Sequence, residues 1–247
     1  MQIMSMSKKS QAYDNNWMSF SDIMTGLMVI FMFIAISYIL EVQKEQEQRD
    51  LIFEEFKATK EELYSELDNE FKDDFLKWEV ELDKDLSIKF ANPEVLFQSG
   101  KSNLRLEFRN ILDEFLPRYF SILLKEKYSS KIAEIRIEGH TDTVPAPNYD
   151  SDPYIGNIKL SQLRSAEVLK FFRKSEYYKD LSIKDEQRLQ FWLTANGLSF
   201  GRTLDIEKQL TQISGLSVSN ELSRRVEFRI ITSSETLIEN VLKEMEK

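Results

Sequence analysis

Apolar residues follow three different patterns along the chain, and the first is a long run near the N-terminus. Residues 20–40 read FSDIMTGLMVIFMFIAISYIL, about 21 residues with few polar interruptions. A helix of that length, at about 1.5 Å per residue, matches a bilayer core about 30 Å thick. The run lacks the small-x-small cleavage site of a signal peptide. With Trp17 as an interfacial anchor, it predicts a transmembrane helix over residues 17–40.

The charges that flank this run predict its orientation. Lys8 and Lys9 precede the run, whereas Glu41 and Glu45 follow it. The positive-inside rule then puts residues 1–16 in the cytoplasm and the C-terminal part of the chain across the membrane. The sequence therefore predicts a single-pass membrane protein.

Residues 41–86 show the second pattern, in which apolar side chains recur at spacings of mostly three, four and seven. This segment has no glycine or proline, and its 17 acidic and 7 basic side chains give it a net charge of −10. The spacing predicts one apolar stripe on a long helical linker. A parallel coiled coil between two copies would cover that stripe. The alternative is a solvated acidic spacer whose stripe packs on its own domain. The stripe comprises Phe56, Leu63, Leu67, Phe71, Phe75, Trp78 and Leu82.

Residues 87–234 show the third pattern, an alternation of short β-like runs and longer helix-like stretches. The order strand, helix, strand, helix, strand, strand (βαβαββ) predicts an α+β domain with a mixed sheet and helices on one face. A further helix is predicted at residues 235–247. The strands are expected at 87–91, 134–139, 191–197 and 225–231, and the helices near 103–127, 160–178 and 203–213.

Composition narrows the chemistry that the chain can perform. With 33 basic and 42 acidic residues the net charge is −9, which repels phosphate backbones, so no nucleic-acid partner is expected. The chain has no cysteine and one histidine, His140. Disulfides and thiolate nucleophiles are therefore excluded, and a metal site or catalytic triad would depend almost entirely on carboxylates. We expect no metal, no cofactor and no enzymatic activity.

Asp22 is the candidate for chemistry inside the membrane. An ionised carboxylate within an apolar helix is costly, and residues 20–40 contain no Lys, Arg or His to pair with it. Such a group can load and release a proton or hold a cation. Alternatively, Asp22 lies at the headgroup level and caps the helix, because Ser19 and Ser21 lie beside it. Its position alone leaves both interpretations open.

A second candidate pair lies in the C-terminal domain. The segment GHTD (139–142) directly follows a predicted strand, and LSQLRS (160–165) opens a predicted helix. Asp142 and Arg164 could face each other across the intervening loop. Such a pair can grip a zwitterion, because arginine binds a carboxylate in bidentate fashion while aspartate binds an ammonium. The alternative is a plain Asp142–Arg164 salt bridge that pins the loop.

Four motifs in this order resemble the OmpA-like peptidoglycan-binding domain. In that family the aspartate of GHTD and the arginine after the LS pair bind the diaminopimelate side chain of the cell-wall peptide. The resemblance implies these roles for Asp142 and Arg164, with Thr141, Asn157 and Leu160 as supporting residues. The motifs are FQSGKSNL (97–104), IEGHTDT (137–143), NIKLSQLRS (157–165) and SRRVEFRI (223–230).

The chain departs from the family pattern in two places. A longer proline-rich loop replaces the usual glycine after GHTD, and SRRVE stands in place of NRRVE. The first departure affects the geometry of the ligand site. In this motif His140 is implied to shape the turn rather than to bind a metal.

Joined to an N-terminal span, such a domain has the layout of MotB-type stator subunits. In that family a W-x-S-F/Y-x-D segment carries the ion-binding aspartate, and Trp17, Ser19, Phe20 and Asp22 match it. The resemblance implies that Asp22 carries a translocated H⁺ or Na⁺. It also implies a homodimer inside a ring of a MotA-like subunit in the inner membrane, with the C-terminal domain bound to peptidoglycan in the periplasm.

Within the MotB-like group the chain is similar to the B component of Zorya anti-phage defence systems. The similarity rests on residues 17–33, the short N-terminus, the expanded loop after GHTDT, the SRRVE spelling and NGLSFG (196–201). It implies a proton-motive-force-driven rotary motor in antiviral defence. Alternatives are a flagellar MotB-type subunit and a static membrane-to-wall tether in which Asp22 only caps a helix. A cell-wall hydrolase would need an acid pair or a zinc site, and the chain offers Asp142 and Glu138 but no second histidine and no cysteine, which disfavours this alternative.

Overall fold

The computed structural model describes residues 7–233 and residue 235. The helix predicted at 235–247 lies outside these residues except for Glu235, and two compact units divide between Phe53 and Glu54. The helices are α1 (Ser7–Trp78), α2 (Pro93–Leu96), α3 (Leu106–Leu123), α4 (Pro153–Lys174), α5 (Glu176–Lys179), α6 (Ile183–Trp192), α7 (Thr211–Ser214) and α8 (Asn220–Ser223), with a 3₁₀ turn at Glu126–Tyr128. The strands are β1 (Val80–Leu82), β2 (Ser87–Phe90), β3 (Ile132–Gly139), β4 (Leu193–Gly197) and β5 (Val226–Thr232).

Residues 20–40 of α1 carry apolar side chains around the whole helix circumference. Among the described residues, α1 is the one helix long and apolar enough to cross a membrane. The large apolar side chains between Phe20 and Leu40 are exposed, and none of the most apolar stretch is buried inside the protein. Such a surface is stable only where lipid or another protein covers it. The helix therefore fits the predicted transmembrane segment.

The stripe in the later part of α1 packs on its own domain. Leu63, Leu67 and Phe71 are completely buried, and Phe75 and Trp78 are more than nine-tenths buried. All five belong to the domain's hydrophobic core, where Phe71 and Trp78 meet the Phe115 ring of α3. This finding corrects the expected coiled coil at these positions, because the stripe is already covered and has no apolar surface left for a second copy.

Ion pairs flank the buried stripe. Arg118 of α3 donates from Nε to Glu70 at 2.7 Å and from Nη1 to Asp74 at 2.6 Å. Lys125 donates to Glu66 at 2.6 Å. The acidic excess of this part of α1 is thus matched in part by basic side chains in and just after α3.

The strands form one mixed sheet in the order β1-β2-β5-β3-β4. Strand β3 pairs antiparallel with β5 and parallel with β4, so its end lies between two neighbours. The order β2, α3, β3, α4, β4, β5 confirms the predicted α+β class. Strand β1 pairs antiparallel with β2, although its residues precede the predicted domain start at 87. The sheet therefore begins inside the segment that the sequence assigns to the linker.

One predicted helix is wrong. The sequence predicts a helix at 203–213, but in this stretch the chain is helical only from Thr211, in α7. Asp205 accepts two backbone hydrogen bonds, from Glu207 and Gln209 at 2.8 and 2.9 Å, and closes a turn instead. The helix that precedes β4 is α6, whose N-terminus Ser182 caps.

Candidate functional site

Helix α4 lies very close to the ends of β3 and β4. A Cβ atom at Gly139 would be 2.3 Å from the carbonyl oxygen of Ser161, and one at Gly197 would be 2.4 Å from the amide nitrogen of Gln162. Only glycine permits such close approaches. The Gln162 side chain adds two hydrogen bonds of 2.8 Å to the backbone of β4. The end of β3 and one face of α4 are thereby held in a fixed geometry.

A cleft of about 390 Å³ opens where β3 ends and α4 runs past it. All five residues predicted to bind or support peptidoglycan line this cleft: Thr141, Asp142, Asn157, Leu160 and Arg164. The segment after α2, the proline-rich loop and the residues before β5 complete the walls. These segments contribute Phe97, Gly100, Arg105, residues 144–149, Arg224 and Arg225, among others.

The carboxylate of Asp142 is nearly buried just beyond the end of β3. Its Oδ1 accepts a hydrogen bond from the Val144 amide, and its Oδ2 accepts one from Arg224 Nη1, both at 3.1 Å. The partner of Asp142 is therefore Arg224, and the alternative of a plain Asp142–Arg164 salt bridge is wrong. A carboxylate can accept about four hydrogen bonds, so Asp142 keeps acceptor capacity for a ligand.

The guanidinium of Arg164 is buried without a neutralising partner. Its Nε donates to the Lys101 carbonyl at 3.0 Å, and the group lies over the Phe97 ring, 4.9 Å from the centroid. Within the described chain no carboxylate oxygen lies within 4.0 Å of its nitrogens. Burial lowers the pKa of Arg164 to about 10, which still leaves it charged at neutral pH. A desolvated, unpaired cation favours an anionic ligand.

The three supporting residues shape the walls of the cleft. Asn157 donates to two backbone carbonyls, one of them that of Val144 at 2.9 Å, and so ties the loop to α4. Leu160 is 4% exposed and forms part of the apolar wall. The Thr141 hydroxyl is buried and has no hydrogen-bond partner within the described range, so it too is available to a ligand.

The proline-rich loop is held at both ends. Asp152 caps α4 by accepting two backbone hydrogen bonds, and the helix begins at Pro153 rather than at the predicted Leu160. The Tyr149 hydroxyl donates to the Gly100 carbonyl at 3.3 Å. The loop is therefore an ordered wall of the cleft, despite its departure from the family pattern.

A buried cluster of Glu138, His140 and Glu227 lies at the adjoining ends of β3 and β5. Its possible ligand atoms lie within 4.8 Å of one another, a spacing that a metal ion can use. However, Arg225 donates to Glu227 at 2.5 Å, and Arg202 lies 3.8 Å from Glu138. Burial lowers the pKa of His140, which keeps the imidazole neutral at pH 7. Because the two arginines balance the two carboxylates, we assign no metal to this cluster.

Asp22 lies on an exposed face of α1, in the other compact unit. Since α1 begins at Ser7, Asp22 is well inside the helix and cannot cap its N-terminus, which removes the helix-cap alternative. One turn later, the Thr25 hydroxyl donates to the Ser21 carbonyl at 2.8 Å. The role of Asp22 in ion transfer stays a prediction.

Arg224 is a cleft residue that the sequence does not predict. It adjoins Arg225 in the SRRVE motif, but the two side chains diverge: Arg225 bonds Glu227, whereas Arg224 bonds Asp142. The doubled arginine before a strand is the only local signal. The pairing itself joins positions 82 residues apart and is not visible in the linear sequence.

Comparisons with known proteins identify the family of the chain. No family model matches the chain. It is 35% identical over 240 residues to the Zorya protein ZorB of Escherichia coli (strain Crooks), covering 96% of each chain. Among solved structures it is similar to a MotB-like protein from Desulfovibrio vulgaris (20% identity, TM-score 0.48, 72% of this chain and 98% of that chain). It is also similar to the periplasmic domain of Helicobacter pylori MotB (16% identity, TM-score 0.38, 64% and 85%). Because the similarity to ZorB spans nearly the whole of both chains, this chain belongs to the ZorB family of Zorya proteins.

Proposed function

We propose that this chain is the wall-anchored B subunit of an ion-driven membrane motor in Zorya defence. It binds peptidoglycan in the cleft and carries H⁺ or Na⁺ through Asp22. The observation that supports the proposal most is the buried, unpaired Arg164 in the same cleft as Asp142. Membership of the ZorB family supports the defence setting.

The cleft suits the zwitterionic end of a diaminopimelate side chain. The ligand carboxylate accepts hydrogen bonds from the free guanidinium N–H groups of Arg164. The ligand ammonium donates to the carboxylate oxygens of Asp142. Phe97 and Leu160 offer apolar contact to the methylene groups. Each charge-assisted hydrogen bond contributes about 1.5–3 kcal/mol. This is a binding role, and we propose no hydrolysis and no cofactor.

The membrane part works through a partner. Two copies cross the inner membrane once each, with cytoplasmic N-termini and periplasmic C-terminal domains, inside a ring of a MotA-like, here ZorA-like, subunit. Loading and unloading of Asp22 changes its contacts with the ring. A potential of 100 mV supplies about 2.3 kcal/mol per charge, which is enough to bias each step. Because the wall holds the B subunits still, the ring rotates.

Anchoring is tested by co-sedimentation of the full-length, detergent-solubilised protein with purified peptidoglycan. The wild type should sediment, and so should Arg109→Ala, which removes an exposed positive charge outside the cleft. The double variant Asp142→Ala, Arg164→Ala should stay in the supernatant. Equal sedimentation of the double variant would exclude this cleft as the anchor, and release of soluble fragments would indicate a hydrolase.

The motor role is tested by phage plaquing on cells that carry the complete operon. Cells that carry Asp22→Asn at the wild-type protein level should lose protection, because an amide cannot take up and release a proton near neutral pH. Asp50→Asn, the same change at an exposed position beyond the span, should still protect. If Asp22→Asn also protects, the chain is a static tether. If the wild type gives no protection, the defence setting is wrong and motility is the next assay.

A further inference from the structure

The cleft contains a second arginine whose donors are mostly unused. The Arg224 side chain is 40% exposed, and its Nη1 donates to Asp142 Oδ2 at 3.1 Å. Its Nε is buried and has no hydrogen-bond partner in the part of the chain that the structure describes. A guanidinium carries five N–H donors. Pairing with Asp142 therefore leaves Arg224 able to bind a further acceptor.

The charges around Asp142 do not balance. Arg164 and Arg224 line the same cleft, and Asp142 is the one described carboxylate within 4.0 Å of either. Arg225 is neutralised by Glu227. The other charged lining residues, Arg105 and Glu94, offset each other in formal charge. The inner part of the cleft therefore carries one uncompensated positive charge.

Two neighbouring cations in a partly dehydrated cleft raise each other's energy until an anion binds. Burial is the main reason that the pKa of Arg164 is lowered; Tyr149 and Asp142 raise it in part, and the nearby charge of Arg224 lowers it by a smaller amount. A ligand with one ammonium and one carboxylate would leave this excess charge in place. A ligand with one ammonium and two carboxylates would neutralise it.

We propose that Arg224 binds a second carboxylate of the wall peptide, so that the cleft selects stem peptides with free carboxylates over amidated ones. This inference rests on the proposed peptidoglycan binding and adds a ligand class to it. Arg224 keeps Nη1 on Asp142 and offers its remaining donors to the ligand. It is thus a specificity-determining residue as well as the internal partner of Asp142.

The experiment is a calorimetric titration of the full-length protein in detergent with two synthetic probes. One is the tripeptide L-Ala-γ-D-Glu-meso-diaminopimelate with both diaminopimelate carboxylates free. The other is the same peptide with the carboxylate of the peptide-linked centre amidated. The wild type and Arg109→Ala should prefer the free acid by about ten- to a hundredfold, which corresponds to one charge-assisted interaction.

Variants at position 224 separate recognition from positioning. In Arg224→Gln the preference should fall to less than about threefold, whereas Arg224→Lys, which keeps the charge, should retain part of it. If Arg224→Gln weakens both probes equally and the ratio persists, Arg224 only positions Asp142 and the inference is wrong. Equal binding of both probes by the wild type also overturns it. A wild type that binds neither probe contradicts the proposed function itself.

Discussion

The two ends of α1 use the same helical backbone in opposite ways. Between Phe20 and Leu40 the apolar side chains cover the whole circumference and remain exposed, whereas between Leu63 and Trp78 most of them form one stripe that is buried in the domain core. What differs is the angular distribution of apolar residues. A helix that is apolar all round needs lipid or a partner, while a single stripe can be covered by its own domain.

The largest expected effect is that of Phe71→Ala in the buried stripe. Phe71 is fully buried, with its ring 5.2 Å from that of Phe115, so its loss should lower the free energy of unfolding by about 3–5 kcal/mol. Denaturant unfolding of the solubilised protein measures this. Leu76→Ala, at an 84% exposed position of the same helix, should change it by less than about 0.5 kcal/mol. If the loss depended on protein concentration, the stripe would be an intermolecular coiled coil after all.

A charge placed in the apolar run should weaken membrane insertion of α1 and leave the stability of the C-terminal domain unchanged. Ile30→Lys should make membrane insertion less favourable by about 3–4 kcal/mol, because the lysine charge is poorly solvated in the bilayer core. The readout is the fraction of protein that resists carbonate extraction from membranes. Leu51→Lys, which lies beyond the predicted span at a 70% exposed position, is the matched control. Unchanged retention of Ile30→Lys would argue against a transmembrane segment.

The smallest expected effect concerns the ion pairs beside the buried stripe. Burial tends to raise the pKa of Glu66, but hydrogen bonds from Lys125 and Lys127 outweigh it and lower the pKa below its usual 4.5. A carboxyl with a lowered folded-state pKa adds stability above its unfolded pKa and loses it as the pH falls through the folded value. Glu66→Gln should therefore cost up to about 1 kcal/mol at pH 7.

The pH dependence of that variant separates charge from packing. The unfolding free energies of wild type and Glu66→Gln should converge as the pH falls from 7 through the lowered folded-state pKa of Glu66, because protonation removes the charge that Lys125 and Lys127 bind. Glu61→Gln, which changes an exposed acid on the same helix, should match the wild type throughout this pH range. A difference for Glu66→Gln that stayed constant as the pH was lowered would mean that packing and not charge stabilises this contact.

Strands were more predictable than the segments that join them. Strands β2 to β5 lie within about two residues of the alternating patterns, because alternation directly reflects a sheet with one buried face. The prediction of a helix at 203–213 is wrong because the same apolar spacing can also occur in a turn. The hydrogen bonds that Asp205 accepts stabilise the turn. The supporting residues of the cleft are predicted by the family motifs and not by spacing. Spacing alone could not distinguish a zwitterion-binding site at Asp142 and Arg164 from a plain salt bridge between them.

The sequence by itself determined the properties that depend on neighbouring positions. These are the apolar run, the stripe with its spacing, and the alternation of the strands, since each is a local periodicity of the chain. Only the tertiary structure decided that the stripe is covered by α3 and that Asp142 pairs with Arg224 and leaves Arg164 free. The physical reason is that a contact between distant positions depends on how the whole chain packs, and hydrophobicity along the sequence specifies that a surface must be covered without specifying by what.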